Sequence, residues 1–520
     1  MKTMNKNKQL IVNMAASLLS CLVSLGISFI ISPLIIADSG FGASGFIQLA
    51  ANFTSFAAIV AMALNSMAGR FITIRIHQGD PVGASEYFNS VMYANLGIVA
   101  LLFIPCSLVV VFLERLVHVS PELIVDAKIL FALTFLNFFI TVISTIFTTS
   151  TFAANRLDLT ALRTIESKLL NAGILVACFN LLPVKVYYTE IANLVALLYM
   201  FVAYVHYTKK LLPQIVISRK YYKWKKVLEI LSAGVWNTVM RAGQAITNGL
   251  DTLLANLWIS ETSMGYVGIS KMVATAINTL YETISAVFTP SLTISYAKGN
   301  KEELLEDLTS AMKLTGFFAN IPLCFVIGFG VPFYTLWLQR AKDITDAGTI
   351  TLIYILTVLT MAGTIVGGAI SPLFNVYTVV NRLKWNSLVT LFMGILSVGT
   401  VFLFFRNSPY CIYAIVGTST VIGIIKNATF TPMYAAHCLG ISKGSFYPTL
   451  IRYTLISVVM ASLFSLLNIF INTDSWLILV LDIFLCGVIG SVLNFFFLFG
   501  KREQKLLLEN LAKIKNFLNS

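Results

Sequence analysis

IVNMAASLLSCLVSLGISFIISPLIIA, residues 11–37, carries no charged side chain. Its reading decides the fold, because Lys2, Lys6 and Lys8 stand before it in the manner of a secretory leader. A leader's apolar region runs only about 7–15 residues and closes on a small-residue cleavage site. This run is longer and lacks that site. A helix rising 1.5 Å per residue needs about 20 apolar residues to cross the hydrocarbon core. Residues 10–37 are therefore read as a first membrane crossing.

The pattern then repeats to the end of the chain. Of 520 residues, 57% are hydrophobic and 11% charged, against about 25% charged in soluble domains. Further runs lie at 42–69, 88–114, 123–152, 161–182, 188–208, 228–258, 263–295, 309–337, 348–378, 384–405, 408–434, 447–471 and 475–499. The expectation is an all-α integral membrane protein of about 14 transmembrane helices, with no soluble domain. Charge tests the count. With both termini cytosolic, 24 of the 36 Lys and Arg fall on the inner side and 5 on the outer. That is the bias expected of segments that are not translocated, and removing one crossing would invert every later loop.

The net charge of +13 follows from that bias and needs no nucleic acid. Its densest part, residues 209–227, interleaves Lys209, Lys210, Arg219, Lys220, Lys223, Lys225 and Lys226 with Tyr221, Tyr222 and Trp224. It reads as a cytosolic amphipathic linker on lipid headgroups. The tail, 500–520, places Leu507, Leu511, Ile514 and Leu518 on one face of an interfacial helix. Sliding the chain by 220 residues lays Gly45–Met92 over Gly265–Met312 with seven identities in 48 positions. Crossing 2 then falls on crossing 8 in the same orientation. This predicts two parallel-repeat six-helix lobes, 1–208 and 228–434, followed by two additional helices over 447–499.

Two crossings carry polar stripes. Crossing 7 has Asn237, Arg241, Gln244, Asn248 and Asp251, and crossing 8 has Lys271, Thr275, Asn278, Glu282 and Ser285. Both follow the spacing 4, 3, 4, 3, which keeps a stripe on one helical face. Ionisable groups at such depth are costly unless paired or wetted. Equal depth in antiparallel neighbours pairs Asp251 with Lys271 and Arg241 with Glu282. Such pairs either fix helix register or line a solvated cavity. Lys168, Lys426 and Arg70 are further cavity candidates, against snorkelling or packing. Crossing 1 adds Asn13, Ser17, Ser20, Ser24 and Ser28, a stripe that suits close packing or a wet wall.

Catalytic signatures are missing. There is no GxxxxGK[ST] phosphate loop and no HExxH. Gly440-Ile-Ser-Lys-Gly444 lacks the strand a nucleophile elbow requires. The seven cysteines show no CxxC and no metal spacing. The chain reads as a carrier, not an enzyme.

Leu228-Glu-Ile-Leu-Ser-Ala-Gly-Val-Trp236, Gly265-Tyr-Val-Gly-Ile-Ser270, Pro290-Ser291 and Lys298-Gly-Asn300 resemble the polysaccharide flippase branch of the multidrug/oligosaccharidyl-lipid/polysaccharide exporter superfamily. The resemblance spans roughly residues 10–500. It implies alternating access that moves an undecaprenyl-diphosphate-linked oligosaccharide across the bacterial cytoplasmic (inner) membrane for O-antigen, capsule or exopolysaccharide assembly. Arg241 and Lys271 would contact the diphosphate, with Asp251 and Glu282 as countercharges or ion-coupling groups. No cofactor or metal is called for, with coupling to H+ or Na+. Expected partners are the polyprenyl-diphosphate-linked glycan, membrane lipids and polysaccharide polymerase or export machinery. A cation-coupled multidrug or metabolite exporter of the same superfamily is the alternative. It is disfavoured because residues 11–36 contain no acidic residue. A membrane glycan polymerase or ligase is a third reading, against which the short outer loops count.

Overall fold

The structure, a computed structural model, describes residues 6–288, 292, 301–339, 347–380, 382–501, 503 and 504. Among them every long element is a helix, and fourteen are long. They are α1 (Ala15–Ala37), α2 (Ser39–His77), α3 (Pro81–Val111), α4 (Ile124–Ala153), α5 (Leu157–Leu181), α6 (Tyr188–Leu211) and α7 (Trp224–Trp258). There follow α8 (Glu261–Val287), α9 (Lys301–Trp337), α10 (Ala347–Gly367), α11 (Lys384–Phe405), α12 (Cys411–Leu439), α13 (Tyr447–Phe470) and α14 (Trp476–Leu498). The protein is an all-α multi-pass membrane protein, as the fourteen apolar runs require. Eleven of the helices are long and apolar enough to cross a membrane. The three that fall short are α5, α7 and α8.

Local chemistry sets the boundaries. α1 and α2 form one helix, Lys6–His77, broken at Gly40 with φ 78°, a conformation that favours glycine. α3 starts on Asp80, whose Oδ1 accepts from the Gly83 amide at 2.8 Å, with Pro81 at the first helical position. α9 bends near Phe329 and holds Pro322 and Pro332. The run 348–378 is split into α10 and a short helix, Leu373–Val379. The expected tail helix and Thr293, Ile294 and Gly299 of the repeat lie outside the described residues.

The helices group into two compact units. Unit 1 holds α1–α7, α8 as far as Ile269, and Ser387–Ile415; unit 2 holds α8 from Ser270, α9, α10, Val416 onward and the segment up to Asn386. In lipid, helices gain little from apolar burial against one another and associate through small residues and polar bonds. Unit 1 follows this rule. A Cβ built on Gly234 of α7 would lie 1.9 Å from the Ala63 carbonyl oxygen of α2. One built on Gly265 would lie 2.3 Å from the Phe41 carbonyl oxygen, and one on Gly45 would lie 3.0 Å from the Gly265 nitrogen. α7 also meets α11, with Gly243 against Leu391 and Gly394 against Thr247. Asn95 exchanges amide bonds with Asn65 at 3.0 and 3.1 Å and donates to the Val142 carbonyl at 2.9 Å, joining α2, α3 and α4.

In unit 2, Tyr453 packs over Gly316, Phe464 over Gly328, and the Tyr281 and Tyr453 hydroxyls are hydrogen-bonded. Asn320 and Asn494 exchange amide bonds between α9 and α14. Beyond α14, Glu503 is 2% exposed and accepts from Ser310 Oγ at 2.7 Å, Lys313 Nζ at 3.2 Å and the Gly500 amide at 2.8 Å. Burial alone pushes this carboxyl up, but the Ser310 hydroxyl, the Lys313 ammonium and the Gly500 amide outweigh it and hold it below the usual glutamate value. All seven cysteines are free thiols, five of them buried.

Two outcomes follow for thermal unfolding of the detergent-solubilised protein. Gly234→Val should lose about 2 kcal/mol or more through overpacking, whereas Gly97→Ala, with nothing within 4 Å, should gain about 0.5–1 kcal/mol. A carboxyl depressed in the fold stabilises above its unfolded pKa, about 4.3, and that stabilisation disappears as pH falls through the lower folded value. Glu503→Gln should therefore flatten the acid limb of the stability profile, and an unchanged limb would show that the Ser310–Lys313 contact contributes nothing.

Candidate functional site

α7 is held on two sides. Toward α2, Asn237 Nδ2 donates to Ser66 Oγ at 3.1 Å, and Asn52 donates to the Thr252 hydroxyl. Toward α11, Ser387 Oγ donates to the Trp236 carbonyl at 2.8 Å. Asn237 is thus buried in a helix contact rather than turned to an open face. Along the same stripe Arg241 is half-buried, Gln244 is exposed and Asp251 is only 4% exposed. Among the described residues of unit 1, Arg241 has no hydrogen-bond or ion-pair partner. The Asn248 side chain lies outside the described residues.

In unit 2 the α8 stripe lies open. Thr275, Asn278 and Glu282 are exposed, Lys271 is half-buried and Ser285 is buried. Thr364 Oγ1 of α10 donates to Asn278 Oδ1 at 3.1 Å, and Asn375 Nδ2 donates to Ser285 Oγ at 3.2 Å. α10 has a second lined side. Val358, Ala362 and Ile365, with Ile327 of α9 and the α13 face from Val458 to Ile469, wall an apolar groove of about 520 Å³. One helix therefore borders both a polar stripe and an apolar groove.

The remaining candidates scatter. Lys426 is half-buried on α12, with Nζ 5.9 Å from the centre of the Phe374 ring. Lys168 is half-buried on α5, and Arg70 is exposed near the end of α2. Asn13 is buried, donating to both oxygens of Asn155 and accepting from the Asp158 amide. It clamps the α4–α5 turn, where Asn155 adopts φ 53°.

Several polar groups carried no signal in the sequence. Arg163 donates to Tyr199 and Tyr207 of α6 and pairs with Glu166 at 2.6 Å, so its charge is satisfied within the bundle. The basic linker is fastened to α3. Ser85 and Asn89 bond the backbone at Val216 and Ser218, Ser90 bonds Lys223, and Glu86 pairs with the Lys223 ammonium. Lys209, Lys210, Arg219, Lys220 and Lys225 stay exposed. Glu190 is buried at the start of α6 against Asn137. Apart from the Arg163–Glu166 pair on α5, each contact joins residues far apart in the chain, where spacing says nothing.

The solved structures whose fold the chain shares include transporters of the MOP superfamily. The chain superposes on an inward-facing multidrug resistance MATE family transporter with TM-score 0.66 and 13% identity, covering 83% of this chain and 99% of that one. Lipid II flippase MurJ, in an inward closed conformation, gives TM-score 0.65 and 15% identity over 92% of this chain and 98% of that one. In sequence, the chain is 26% identical over 512 residues to the uncharacterized membrane protein EpsK of Bacillus subtilis (strain 168), covering 98% of this chain and 99% of EpsK. No family model matches.

The two polar residues at either end of this range of burial should separate in the laboratory. Asn237→Ala should lower the unfolding midpoint by the equivalent of about 1 kcal/mol, the scale of an interhelical polar bond in lipid. Gln244→Ala should stay within about 0.5 kcal/mol of wild type. Equal losses would mean that Gln244 also packs.

Proposed function

We propose that the protein is an alternating-access flippase for polyprenyl-diphosphate-linked oligosaccharide repeat units, and not an enzyme. The observation that carries this reading is α10, with the apolar groove on one side and Asn278 of the polar stripe bonded on the other. An amphiphile needs both surfaces at once. Its polyprenyl tail stays in an apolar channel open to lipid, while its charged head crosses along groups that replace water. Exposed Thr275 and Asn278 on α8 would each cost free energy against hydrocarbon, so the reading places water along that stripe.

In this reading Arg241 and Lys271 attract the anionic diphosphate. Asp251 and Glu282 serve as their countercharges, Asp251 with Lys271 and Arg241 with Glu282, and Lys168 and Lys426 add positive potential. The lobes would be related by a two-fold axis along the membrane normal. The 24-to-5 distribution of cations supports cytosolic termini in a bacterial cytoplasmic membrane. The basic linker then rests on inner-leaflet headgroups. Coupling to H+ or Na+ and delivery to a polysaccharide polymerase complete the scheme.

An exporter of soluble cations is the competing reading, and lipid-linked intermediates distinguish the two. Deleting the gene should leave lipid-linked repeat units on the cytosolic leaflet and remove surface glycan. Arg241→Glu should lower surface glycan at least about tenfold, the effect of losing 1.4 kcal/mol of head-group binding. Joining it to Glu282→Arg should restore glycan only where those side chains act as a structural pair. Unchanged glycan together with reduced dye efflux would overturn the flippase reading.

A further inference from the structure

The linker between α6 and α7 is built in two layers. Leu212, Ile215, Val227 and Ile230 are buried in one apolar cluster with Phe88 and Val91 of α3. The backbone between them is fixed by α3 side chains. The Val216 amide donates to Ser85 Oγ at 3.1 Å, and the Val216 carbonyl accepts from Asn89 Nδ2 at 2.7 Å. The Ser218 amide donates to Asn89 Oδ1 at 2.8 Å, and the Lys223 amide donates to Ser90 Oγ at 2.9 Å. The second layer faces outward. Val216, Ile217 and Trp224 are 50%, 44% and 57% exposed, and exposed Tyr222 stands edge-on to Tyr93 of α3.

This outer layer is cationic. Residues 209–226 hold seven Lys and Arg and no Asp or Glu. Lys223 pairs with Glu86 and Lys226 with Glu229. Lys209, Lys210, Arg219, Lys220 and Lys225 are exposed, and among the described residues none of these five has an acidic partner. Like charges so crowded repel one another, and such runs are ordinarily disordered. Here the bonds to α3 hold the run in one shape, so its charges and apolar groups are presented without further ordering cost.

Position limits what can cover the strip. It runs from the last turn of α6, where Lys209 and Lys210 stand, to the first turn of α7, and it is bonded to the first turns of α3. These are helix ends of a multi-pass membrane protein, so the strip lies at the level where the chain leaves the bilayer. Trp and Tyr favour that level, and a cation beside an acidic leaflet gains about 1 kcal/mol there. A soluble acidic protein would first have to displace the headgroups that fill this layer.

We propose that residues 209–225 are a preformed binding surface for an acidic bilayer leaflet. Lys209, Lys210, Arg219, Lys220 and Lys225 take phosphodiester headgroups, with Tyr222 and Trp224 seated beside them. Because the strip is fastened to α3 and continues into α7, acidic lipid holds both helices at one depth and stabilises the fold. The surface discriminates acidic from zwitterionic lipid, and it does so whatever cargo the protein carries.

The test is thermal unfolding of the purified full-length protein in mixed micelles, with phosphatidylglycerol or phosphatidylcholine titrated at fixed detergent. The wild-type midpoint should rise with phosphatidylglycerol and much less with phosphatidylcholine, and added NaCl should shrink the difference. Arg219→Gln joined to Lys220→Gln should need at least about tenfold more phosphatidylglycerol for the same rise, a loss equivalent to about 1.4 kcal/mol. A wild type that responds equally to both lipids overturns the proposal, and so does a double variant with the wild-type response. Glycerophosphoglycerol, the same headgroup without acyl chains, should leave the midpoint unmoved. Equal stabilisation by it would reveal a free-anion site and overturn the bilayer surface. Should the double variant yield no monodisperse protein, Lys220→Gln alone takes its place with a shift of about fivefold, and an unmoved requirement there overturns the proposal equally.

Discussion

Everything in this structure answers to one constraint. A polar group inside hydrocarbon must find its partner within the protein, because no water is there to supply one. Helix association cannot lean on the hydrophobic effect, so contact comes from glycines that bring backbones together and from amides that bond across the gap. Asn95 is the plainest case, since one side chain joins three helices. Arg163 is the charged case. Its guanidinium is bound by two tyrosines and a glutamate rather than left to lipid.

The same constraint divides α7 into sides with different duties. Glycines and short polar bonds toward α2 and α11 consume two of its faces. A helix so tightly held would usually be apolar on what remains, yet α7 offers Arg241 and Gln244 there. α8 repeats the arrangement from its own unit. Its first turns pack against α2 through Gly265, and from Ser270 onward it exposes Thr275, Asn278 and Glu282.

The helical architecture was legible in the sequence because each crossing is a local property, one uncharged run of sufficient length. Helix boundaries shifted where a turn needs particular chemistry, as at Asp80 and Gly40, and the run 348–378 divides into α10 and a short helix. The polar stripes were legible for the same reason, being a matter of spacing within one helix. Partners were not. Asn237 shares the spacing of Arg241 and Gln244, but it sits where Ser66 of α2 can reach it, and only the fold places Ser66 there. Likewise, Asn137 and Glu190 each look like isolated polar residues in apolar runs. Their contact spans 53 positions and leaves no periodic trace. The linker read as a headgroup anchor is in addition tied to α3 by side chains more than 120 positions away.

The choice between a soluble cargo and an amphiphile turns on the last two crossings. A soluble solute needs only a cavity that opens alternately to each side, while a lipid-linked one also needs a lateral path for a chain that never leaves the bilayer. α13 supplies much of the wall of the apolar groove, through Val458, Ala461, Ser462, Ser465, Leu466 and Ile469. It belongs to the segment beyond the twelfth helix. Small side chains such as Ala461, Ser462 and Ser465 hollow the groove, where bulkier ones would close it. A helix pair serving only as a scaffold would gain from filling that space. The space is left open on α10, the helix whose other side holds Asn278 of the polar stripe.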